Sequence, residues 1–516
     1  MPTASHTVED QSPVFDFLAD PVTHGSDGTV NRIDTHGAAV FLAGENAYKV
    51  KRAVAFPFMD FSTLEKRRKA CEAEIAVNRP NAPGIYVRAV PIIRGSDGLQ
   101  LDGDGETVEW CVHMRRFDEG RTLDRIAERE GLSDDLLRRT AAAVAASHAR
   151  APVREGTGFS ESLAAIIREN GSSLAERADL FGENRVDRLT RRSENALSAV
   201  ASALDARERQ GRVRRCHGDL HLRNIVVLGE EPTLFDAIEF DEGLATTDVL
   251  YDLAFLLMDL GERGLEKEAN LVLNRYLAED GDPGQIAGLA ALQLFVSVRA
   301  AIRAKVTAAA IETSGADRRA DLEADARRYF DFAEATLTPY PPRLIAVGGL
   351  SGSGKSTLAA RLAPAIRPFP GAVHLRSDVL RKRIMGVAEH EKLGPDGYTA
   401  EVTARVYDSL LAEAAAALRA RQSVIVDAVN QRQDEREALA DLAEGMDVDF
   451  TGLWLEAPTD TLVARANART RDASDADGAV VTAQASRDIG YLDWFRIDAA
   501  GGPEATLAAA RAATGI

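Results

Sequence analysis

The sequence predicts a multidomain protein in which an α+β part is followed by an α/β part. Residues 30–115 alternate short apolar runs with turn residues, as β-hairpins do, and helical periodicity dominates from Asp134 to Glu334. After residue 343, apolar strands alternate with helices, which predicts a parallel sheet covered by helices on both faces. Strands of this sheet are expected at residues 344–348, 372–376, 423–427 and 449–455.

A proline-rich segment marks the boundary between the two parts. Residues 339–342 read Pro-Tyr-Pro-Pro, and prolines spaced so closely cannot continue the preceding helix. An apolar strand begins directly afterwards, at Leu344. The predicted organisation is an N-terminal extension over residues 1–29, a first domain over 30–338, a linker over 339–342 and a second domain over 343–516.

Composition restricts the class of protein. The chain has 516 residues, too many for a single hydrophobic core, and a net charge of −18, which argues against a nucleic-acid-binding surface. Three cysteines, Cys71, Cys111 and Cys216, are too few for a disulfide framework, and the polar N-terminal residues do not resemble a signal peptide. We therefore expect a cytoplasmic protein with no membrane partner, in which the apolar segment Val249–Leu260 is a buried helix. The sequence leaves the oligomeric state open.

Several elements of the first domain can be placed. Residues 40–50 read as a hairpin, and Val108–Met114 as another strand. Phe61–Asn78 reads as a charged amphipathic helix with Ser62 as its N-cap. Two short strands near residues 225–235 interrupt the helical region. The result is a small sheet lobe followed by a larger helical lobe.

The segment Cys216–Asn224 carries the first candidate site. Asp219 and Asn224 have the spacing of a kinase catalytic loop, in which the Asp receives or orients the proton of the acceptor hydroxyl and the Asn binds Mg²⁺. Two short strands then lead to Asp236, which is the second candidate metal ligand. Phosphoryl transfer needs such a cluster because metal ions must neutralise the phosphate oxygens while a carboxylate positions the nucleophile.

Lys49 is the candidate phosphate-binding lysine, because it lies on a strand that follows a turn. The next helix offers Glu72 and Glu74 as ion-pair partners that would orient this lysine, and we favour Glu74. A complete Gly-x-Gly-x-x-Gly loop does not precede Lys49, and Thr35-His36-Gly37 is the nearest substitute.

Here the sequence resembles the aminoglycoside phosphotransferase and choline kinase family. The string His217–His221, with Asn224 after it, is similar to the catalytic loop of that family, and Leu234–Asp236 stands where its metal-binding aspartate stands. Tyr251–Ala254 is similar to the following helix, in which the aspartate is usually structural. The resemblance spans about residues 30–335. It implies a protein-kinase-like bilobal fold with ATP and Mg²⁺ as cofactors, and it makes His221 a candidate substrate contact.

The second part of the chain opens on a complete phosphate-binding loop, the Walker A motif. Residues 349–356 read Gly-Leu-Ser-Gly-Ser-Gly-Lys-Ser, and they lie between an apolar strand and a helix, as this motif requires. Backbone amides and the helix N-terminus attract phosphate, Lys355 contacts the outer phosphates, and the Ser356 hydroxyl binds Mg²⁺. The candidate nucleotide-binding residues are Gly349, Ser351, Gly352, Ser353, Gly354, Lys355, Ser356 and Thr357.

Other candidate residues follow the strands of the second part. Asp427 ends an apolar strand, as the acid of the second nucleotide motif does, and is a candidate Mg²⁺ ligand through water. Asp378 follows the second strand of the domain, where a carboxylate can orient an acceptor hydroxyl. Arg381 or Arg383 could hold a substrate anion, although a solvated helix face explains these arginines equally well.

Arginines near residue 470 resemble the lid of small-molecule P-loop kinases such as gluconate and shikimate kinases. Arg465, Arg469 and Arg471 precede the polar stretch Asp472–Asp477. The resemblance implies that Arg469 and Arg471 reach the transferring phosphate when the lid closes. It spans about residues 343–516.

Together these motifs predict an ATP- and Mg²⁺-dependent phosphotransferase with two kinase-type sites. Its acceptors would be hydroxyl groups of small molecules such as sugars, aminocyclitols or amino alcohols. The combined architecture resembles bifunctional aminoglycoside phosphotransferase/ATP-binding proteins. In one alternative, one domain is a nucleotide-dependent regulator of the other, although both retain metal ligands and candidate bases. A lesser alternative, a polynucleotide kinase, fits Arg381 but lacks a basic surface stripe.

Overall fold

The structure of the protein, a computed structural model, describes residues 7–25, 28–56, 59–96, 98–468 and 473–516. The chain divides into two compact units, each built from two separate stretches. The first unit comprises Met1–Thr157 and Glu208–Leu253, and the second comprises Gly158–Arg207 and Ala254–Ile516. The predicted sequence boundary at residues 339–342 lies inside the second unit, and its role as a folding boundary stays a prediction.

Elements are numbered along the chain. Up to residue 262 they are α1 (Ser12–Ala19), β1 (Asn31–Asp34), β2 (Ala38–Ala43), β3 (Asn46–Lys51), β4 (Ala55–Phe56), β5 (Met59–Asp60), α2 (Leu64–Asn78), β6 (Tyr86–Gly95), β7 (Gly98–Leu101), β8 (Glu106–Arg115), α3 (Leu123–Arg129), α4 (Asp134–Arg150), α5 (Phe159–Ala175), α6 (Ala178–Phe181), α7 (Glu183–Arg209), β9 (Val213–Arg215), β10 (Ile225–Leu228), β11 (Glu231–Leu234), α8 (Glu242–Ala245), β12 (Thr246–Asp248) and α9 (Val249–Glu262). From residue 266 they are α10 (Glu266–Asp280), α11 (Pro283–Gly288), α12 (Leu292–Thr313), α13 (Ala316–Thr336), β13 (Arg343–Gly349), α14 (Lys355–Leu362), β14 (Val373–Arg376), α15 (Ser377–Met385), α16 (Ala400–Arg419), β15 (Val424–Asp427), α17 (Gln433–Gly445), β16 (Asp449–Glu456), α18 (Thr459–Asn467), α19 (Gly478–Ala485), β17 (Phe495–Asp498) and α20 (Pro503–Thr514). The predicted succession of strand-rich, helical and alternating segments is confirmed.

An antiparallel sheet in the order β1-β2-β3-β8-β6-β7 forms the core of the first unit. Alternate residues of each strand face opposite sides of the sheet. Phe41 and Val50 pack with α1 on one side, whereas Ala47 and Val112 pack with Cys71 of α2 on the other. Both faces are therefore covered, and the α2 side is the one that carries the candidate lysine.

The helix expected over Phe61–Asn78 is shorter than predicted. It begins at Leu64, and its N-cap is Thr63, whose Oγ1 accepts a hydrogen bond from the Lys66 amide at 3.3 Å. The predicted N-cap, Ser62, is wrong because the Asp60 carboxylate accepts the Ser62 amide at 3.0 Å and holds this segment in a separate turn. The hairpin of β2 and β3 and the strand at 108–114 are confirmed.

The second unit contains a five-stranded parallel sheet in the order β14-β15-β13-β16-β17. Ile345 and Val347 of the central strand pack with Leu358 of α14 and Leu507 of α20 on one face. The intervening Ala346 is also buried, and α16 and α17 pack against the sheet from the opposite side. The strands predicted for this region are confirmed, and the central strand ends at the phosphate-binding loop.

Apolar helices fill the interior of the helical region. Val249–Leu260 lies within α9 and is almost entirely buried, as predicted. Of the residues that the structure describes, one helical stretch, Pro283–Glu312, is long and apolar enough to cross a membrane, and 78% of its most apolar window is buried inside the protein. Core helices of globular proteins share this pattern.

Arg67 in α2 is fully buried and generates a prediction about stability. Its Nε donates to Glu109 at 2.9 Å, its Nη1 to the Phe61 carbonyl at 3.1 Å, and its Nη2 to Glu9 at 2.8 Å. Removing one partner of a buried ion pair leaves the other charge uncompensated. We therefore expect Arg67→Ala to lower the free energy of unfolding of the first unit by about 3 kcal/mol.

The adjacent Arg68 provides the matched control, because its ion pairs with Glu65 and Glu72 are exposed. Arg68→Ala should change stability little. Hydrogen exchange of the amides in α2 and β8 measures both variants. Equal protection in the Arg67 and Arg68 variants would contradict the expected role of the buried pair.

Candidate active sites

Two lysines and three carboxylates form a charge cluster on the α2 side of the first sheet. Lys49 Nζ lies 2.9 Å from Glu74 Oε1 and 2.7 Å from Asp236 Oδ1. Lys51 Nζ lies 2.5 Å from Glu74 Oε2 and also pairs with Glu239. The two lysines are two residues apart on one strand, so their side chains emerge on the same face. Sequence reasoning missed Lys51 and Glu239.

Opposite charges keep this cluster ionised. Burial by itself lowers the pKa of Lys49, but Asp236 and Glu74 outweigh burial and raise this pKa well above its usual range. Burial raises the pKa of Glu74, but Lys49 and Lys51 outweigh it and hold this pKa below its usual range. Of the two predicted partners for Lys49, the structure places Glu74 against it, whereas Glu72 pairs with Arg68 at 2.9 Å.

The predicted catalytic loop connects β9 to β10. Asn224 Nδ2 donates to the Asp219 backbone carbonyl at 2.9 Å and to Asp219 Oδ2 at 3.0 Å. His221 Nε2 lies 3.3 Å from the same Oδ2. The Asp219 side chain nevertheless stays 38% exposed, so its carboxylate remains accessible to an acceptor hydroxyl.

Buried Asp252 accepts hydrogen bonds from two backbone amides of this loop. Its Oδ1 accepts the Gly218 amide at 2.7 Å, and its Oδ2 accepts the His217 amide at 3.3 Å. His148 Nε2 lies 3.1 Å from Oδ2. His148, Cys216 and Asp252 lie close enough together to hold a metal ion, and both Asp252 oxygens also accept amides of the loop. Asp252 therefore fixes the backbone of the predicted catalytic loop.

A hairpin brings the two candidate metal ligands together. Strands β10 and β11 pair antiparallel, and the Phe235 amide donates to the Asn224 carbonyl at 3.0 Å. The next residue, Asp236, has a left-handed backbone with φ of 60°, and its amide donates to Tyr86 Oη at 3.0 Å. Its side chain is 45% exposed. Asn224 uses its side-chain Nδ2 for the bonds to Asp219, so its side-chain oxygen Oδ1 could bind a metal ion.

The sheet face around Lys49 is apolar. Val40 lies opposite Lys49, Ala47 precedes it by two residues, and Met114 lies opposite Ala47, so all four share one face. The three apolar residues and Phe117 belong to one hydrophobic cluster, and Phe117 also lines a cleft of about 900 Å³. Sequence reasoning missed this surface, although the Ala-x-Lys spacing on a strand was the available signal.

The phosphate-binding loop runs from the end of β13 into α14. Gly352 has φ of 86°, and a Cβ there would lie 2.4 Å from the Leu462 carbonyl oxygen, so only glycine fits. Lys355 Nζ donates to the Leu350 carbonyl at 3.1 Å. Of the other predicted loop residues, Ser351 and Ser353 are buried, Gly349 and Gly354 have positive φ, and Thr357 is exposed.

Charged side chains from β14 and β15 face this loop. Asp427 Oδ2 lies 3.3 Å from His374 Nε2 and 3.6 Å from Arg376 Nε, and Arg376 Nη2 donates to Ser356 Oγ at 3.4 Å. Burial raises the pKa of Asp427, but His374 and Arg376 outweigh burial and hold this pKa at about 2. Burial, followed by the negative charge of Asp427, raises the pKa of Asp378.

Both predicted substrate arginines are engaged by protein groups. Arg381 is buried, and its Nη1 donates to the Gly397 carbonyl at 2.9 Å. Arg383 pairs with Glu413 of α16. Their assignment to a substrate anion stays a prediction. Lys382 lies between them and was not predicted.

Two residues near the predicted lid arginines, Asp475 and Arg465, form hydrogen bonds to other parts of the second unit. Asp475 Oδ2 accepts from Lys382 Nζ at 2.6 Å and from Tyr398 Oη at 2.6 Å. Arg465 donates to the Ala499 carbonyl at 2.6 Å. The predicted lid residues Arg469 and Arg471 lie outside the described residues.

Family models match both parts of the chain. Residues 66–289 match the model of the phosphotransferase enzyme family, and residues 344–487 match a model described as an AAA domain. The chain joins a phosphotransferase domain to a P-loop kinase-like domain. Domains of these two kinds identify the chain as a kinase. The two fold predictions, a kinase-like first domain and a P-loop second domain, are thereby confirmed.

Several known proteins are similar to this kinase. Uncharacterized proteins of Mycobacterium tuberculosis and Mycobacterium bovis are 28% identical over 506 residues, which cover 96% of this chain and 97% of theirs. A choline/ethanolamine kinase family protein from Mesorhizobium loti has 17% identity, covers 64% of this chain and 95% of its own, and has a TM-score of 0.42. A gluconokinase from Sinorhizobium meliloti has 22% identity, covers 34% of this chain and 97% of its own, and has a TM-score of 0.24.

Substitution of Lys49 and Lys51 by methionine should show which lysine mainly stabilises the fold and which mainly supports nucleotide turnover. Lys51 is only 2% exposed and pairs with two buried carboxylates, so Lys51→Met should lower the melting temperature of the first unit by several degrees. Lys49 is 15% exposed beside Asp236, so Lys49→Met should lower nucleotide turnover about 100-fold with a smaller loss of stability.

Both variants are compared in a chain that carries Lys355→Ala, which removes the lysine of the phosphate-binding loop. Scanning calorimetry reports the melting temperature and ADP release reports turnover. If Lys51→Met abolished turnover without lowering the melting temperature, Lys51 rather than Lys49 would be the phosphate ligand.

Proposed function

We propose that this kinase is ATP- and Mg²⁺-dependent and has two separate phosphotransfer sites, each acting on a hydroxyl group of a small molecule. One observation supports the first site: the exposed Asp219 carboxylate, the Asn224–Asp236 pair and the Lys49–Glu74 ion pair come from β3, α2 and residues 219–236, and they converge in the first unit. Phosphoryl transfer requires this combination.

The roles of the residues in the first site follow from their contacts. Lys49, oriented by Glu74, would bind the outer phosphates. Asn224 and Asp236 would hold Mg²⁺, which neutralises charge on the phosphate oxygens. Asp219 would accept a hydrogen bond from the acceptor hydroxyl and take its proton as the oxygen bonds to the γ-phosphorus and the bond from that phosphorus to ADP breaks. His221, beside Asp219, would contact the acceptor.

The base of ATP would lie against the apolar face next to Lys49. Val40, Ala47 and Met114 are apolar and belong to one hydrophobic cluster with Phe117, which also lines the cleft of about 900 Å³. The connection between β1 and β2 is only three residues long, Thr35 to Gly37, so this site would cover the phosphates with a short turn.

At the second site, the amides of the phosphate-binding loop and Lys355 would bind the phosphates. Ser356 and Asp427 would hold Mg²⁺, Ser356 directly and Asp427 through water. Asp378 would act as the base for the acceptor hydroxyl. A cleft of about 610 Å³, whose lining includes Leu350 and Trp454, would receive the base of the nucleotide.

The proposed acceptors are sugars, aminocyclitols and amino alcohols. The proposal includes a cytoplasmic location, because three cysteines give no disulfide framework, and no nucleic-acid partner, because the chain carries a net charge of −18. A panel of these acceptors, tested for stimulated ADP release by the full chain, tests the proposed substrate class. A panel that stimulates neither site would contradict it.

Asp219→Asn should lower turnover at the first site about 1,000-fold while changing ATP affinity less than about twofold. The amide retains the size of the side chain but cannot take the proton. ADP release and ATP binding are measured in the Lys355→Ala chain with a stimulating acceptor. Asp102→Asn is the control, because Asp102 is exposed and its left-handed backbone suits asparagine. Undiminished turnover in Asp219→Asn would exclude it as the base.

The second site should show a pH dependence that comes from Asp378. Burial and Asp427 raise the pKa of Asp378, and a base must be ionised to act. Turnover should therefore fall as the pH drops through a value above the usual range of an aspartate. The stability contribution has the opposite sense: it is present below the unfolded pKa and is lost as the pH rises through the folded pKa.

A pH–rate profile in the Asp219→Asn chain measures how turnover at the second site falls as the pH drops. In the same chain, Asp378→Asn should abolish turnover at the second site. Circular dichroism at each pH confirms that the chain stays folded. A rate that is constant down to the pH of unfolding would remove Asp378 from this role.

A further inference from the structure

Helix α10 binds the free edge of the parallel sheet in the second unit. Strand β14 is at one end of the strand order, so one side of its backbone has no neighbouring strand among the described residues. Asn270 Nδ2 donates to the Ala372 carbonyl at 3.1 Å, and Asn274 Nδ2 donates to the same carbonyl at 3.2 Å. The His374 amide donates to Asn274 Oδ1 at 2.7 Å. Two asparagines thus satisfy the edge backbone where a further strand would otherwise pair.

The next residue of α10 reaches the site by a chain of ion pairs. Arg275 pairs with Glu389, whose other carboxylate oxygen lies 3.5 Å from Arg376 Nη1. Arg376 in turn lies 3.6 Å from Asp427 and donates to Ser356 Oγ at 3.4 Å. These last two residues are the proposed Mg²⁺ ligands of the second site.

The two routes converge on one carboxylate. His374, whose amide is held by Asn274, places its ring Nε2 3.3 Å from Asp427 Oδ2. Arg376, which is linked to Arg275 through Glu389, approaches the same Oδ2. Asp427 is almost completely buried, so these groups determine its orientation. Partners of this kind determine how well a carboxylate holds a metal ion.

We propose that Asn274 and Arg275 are positioning residues for the Mg²⁺–nucleotide site of the P-loop domain. The inference rests on the proposed function of that site. Helix α10 lies within residues 66–289, the region that matches the phosphotransferase family model, whereas the site lies within residues 344–487. A segment of the first domain therefore sets the metal affinity of the second, and a shift of α10 changes that affinity.

The chemistry of each residue gives the direction of the effect. Without Arg275, Glu389 has one cation instead of two, so it draws Arg376 away from Asp427 and Ser356. Without the Asn274 side chain, the His374 amide and the Ala372 carbonyl lose partners, and β14 loses its lateral restraint. Both changes loosen Asp427, whereas the amides of the phosphate-binding loop are untouched. Metal-dependent binding should weaken, and metal-free binding should not.

The test uses the full chain with Asp236→Ala, which removes one of the two proposed Mg²⁺ ligands of the first site and should weaken metal-dependent binding there. Equilibrium dialysis measures ATP binding over a series of Mg²⁺ concentrations and in EDTA. Asn274→Ala and Arg275→Ala should each raise the half-saturating Mg²⁺ concentration about tenfold. ATP binding in EDTA should stay within about twofold of the parent. No Mg²⁺ takes part in binding under that condition, so the position of Asp427 matters little there.

Two further variants serve as controls. Arg275→Lys keeps the positive charge near Glu389 and should lie closer to the parent than Arg275→Ala. Arg328→Ala removes an arginine of similar type, which pairs with Glu262 and Asp325 within the helical region, and should leave the Mg²⁺ dependence unchanged.

Different results would contradict the positioning role of Asn274 and Arg275 and the nucleotide-binding role of the P-loop. An unchanged Mg²⁺ dependence in both α10 variants, or an equal loss of ATP binding with and without Mg²⁺, overturns the positioning role. If Asn274→Ala unfolds the chain, the comparison of Arg275→Ala with Arg275→Lys decides. If Lys355→Ala leaves the binding in this background intact, the P-loop does not bind the nucleotide, and both the function and the inference fail.

Discussion

A charged side chain leaves water at a tolerable free-energy cost only where an opposite charge replaces the solvent, and both candidate sites obey this constraint. In the first unit, two lysines face three carboxylates, so one negative charge is left over. At the phosphate-binding loop, Asp378 and Asp427 share the charges of Lys355 and Arg376. A divalent cation would complement the excess of carboxylate in the first unit, whereas the charges of these four residues at the second site already balance.

Contiguous motifs made the sites predictable from the sequence. Asp219 and Asn224 are five residues apart, and the phosphate-binding loop is a single run of residues, so local spacing carries the information. The strands around them follow from apolar runs. The start of α2 was misjudged because Ser62 and Thr63 compete for the same cap, and the choice depends on the bond from Asp60 to Ser62.

Long-range partners were not predictable in the same way. Glu239 and Asp475 meet their lysines only after folding, and a lone carboxylate in a charged sequence has no distinguishing pattern. The position of Lys51 beside Lys49 could have been predicted, because a strand places residues 49 and 51 on one face. The contacts of α10 link segments about a hundred residues apart, and a single sequence holds no signal for them.

The grouping of helices in space differs from their order in the sequence. Helices α10 to α13 precede the proline-rich segment, yet they belong to the same compact unit as the parallel sheet. The ring of Phe332 in α13 packs on Phe369 with centroids 5.3 Å apart, and Gln293 donates to the Phe369 carbonyl at 2.8 Å. Residues before and after the proline-rich segment therefore pack against one another within the second unit.

The asparagines on β14 have a consequence for the solubility of the chain. An uncovered sheet edge exposes a row of backbone donors and acceptors on which strands of other molecules can add, and such edges seed aggregation. Asn270 and Asn274 occupy this edge with side chains that cannot propagate a sheet. A P-loop domain released by proteolysis, or expressed without α10, would open the edge to self-association. The attachment of α10 to this edge therefore limits self-association through β14.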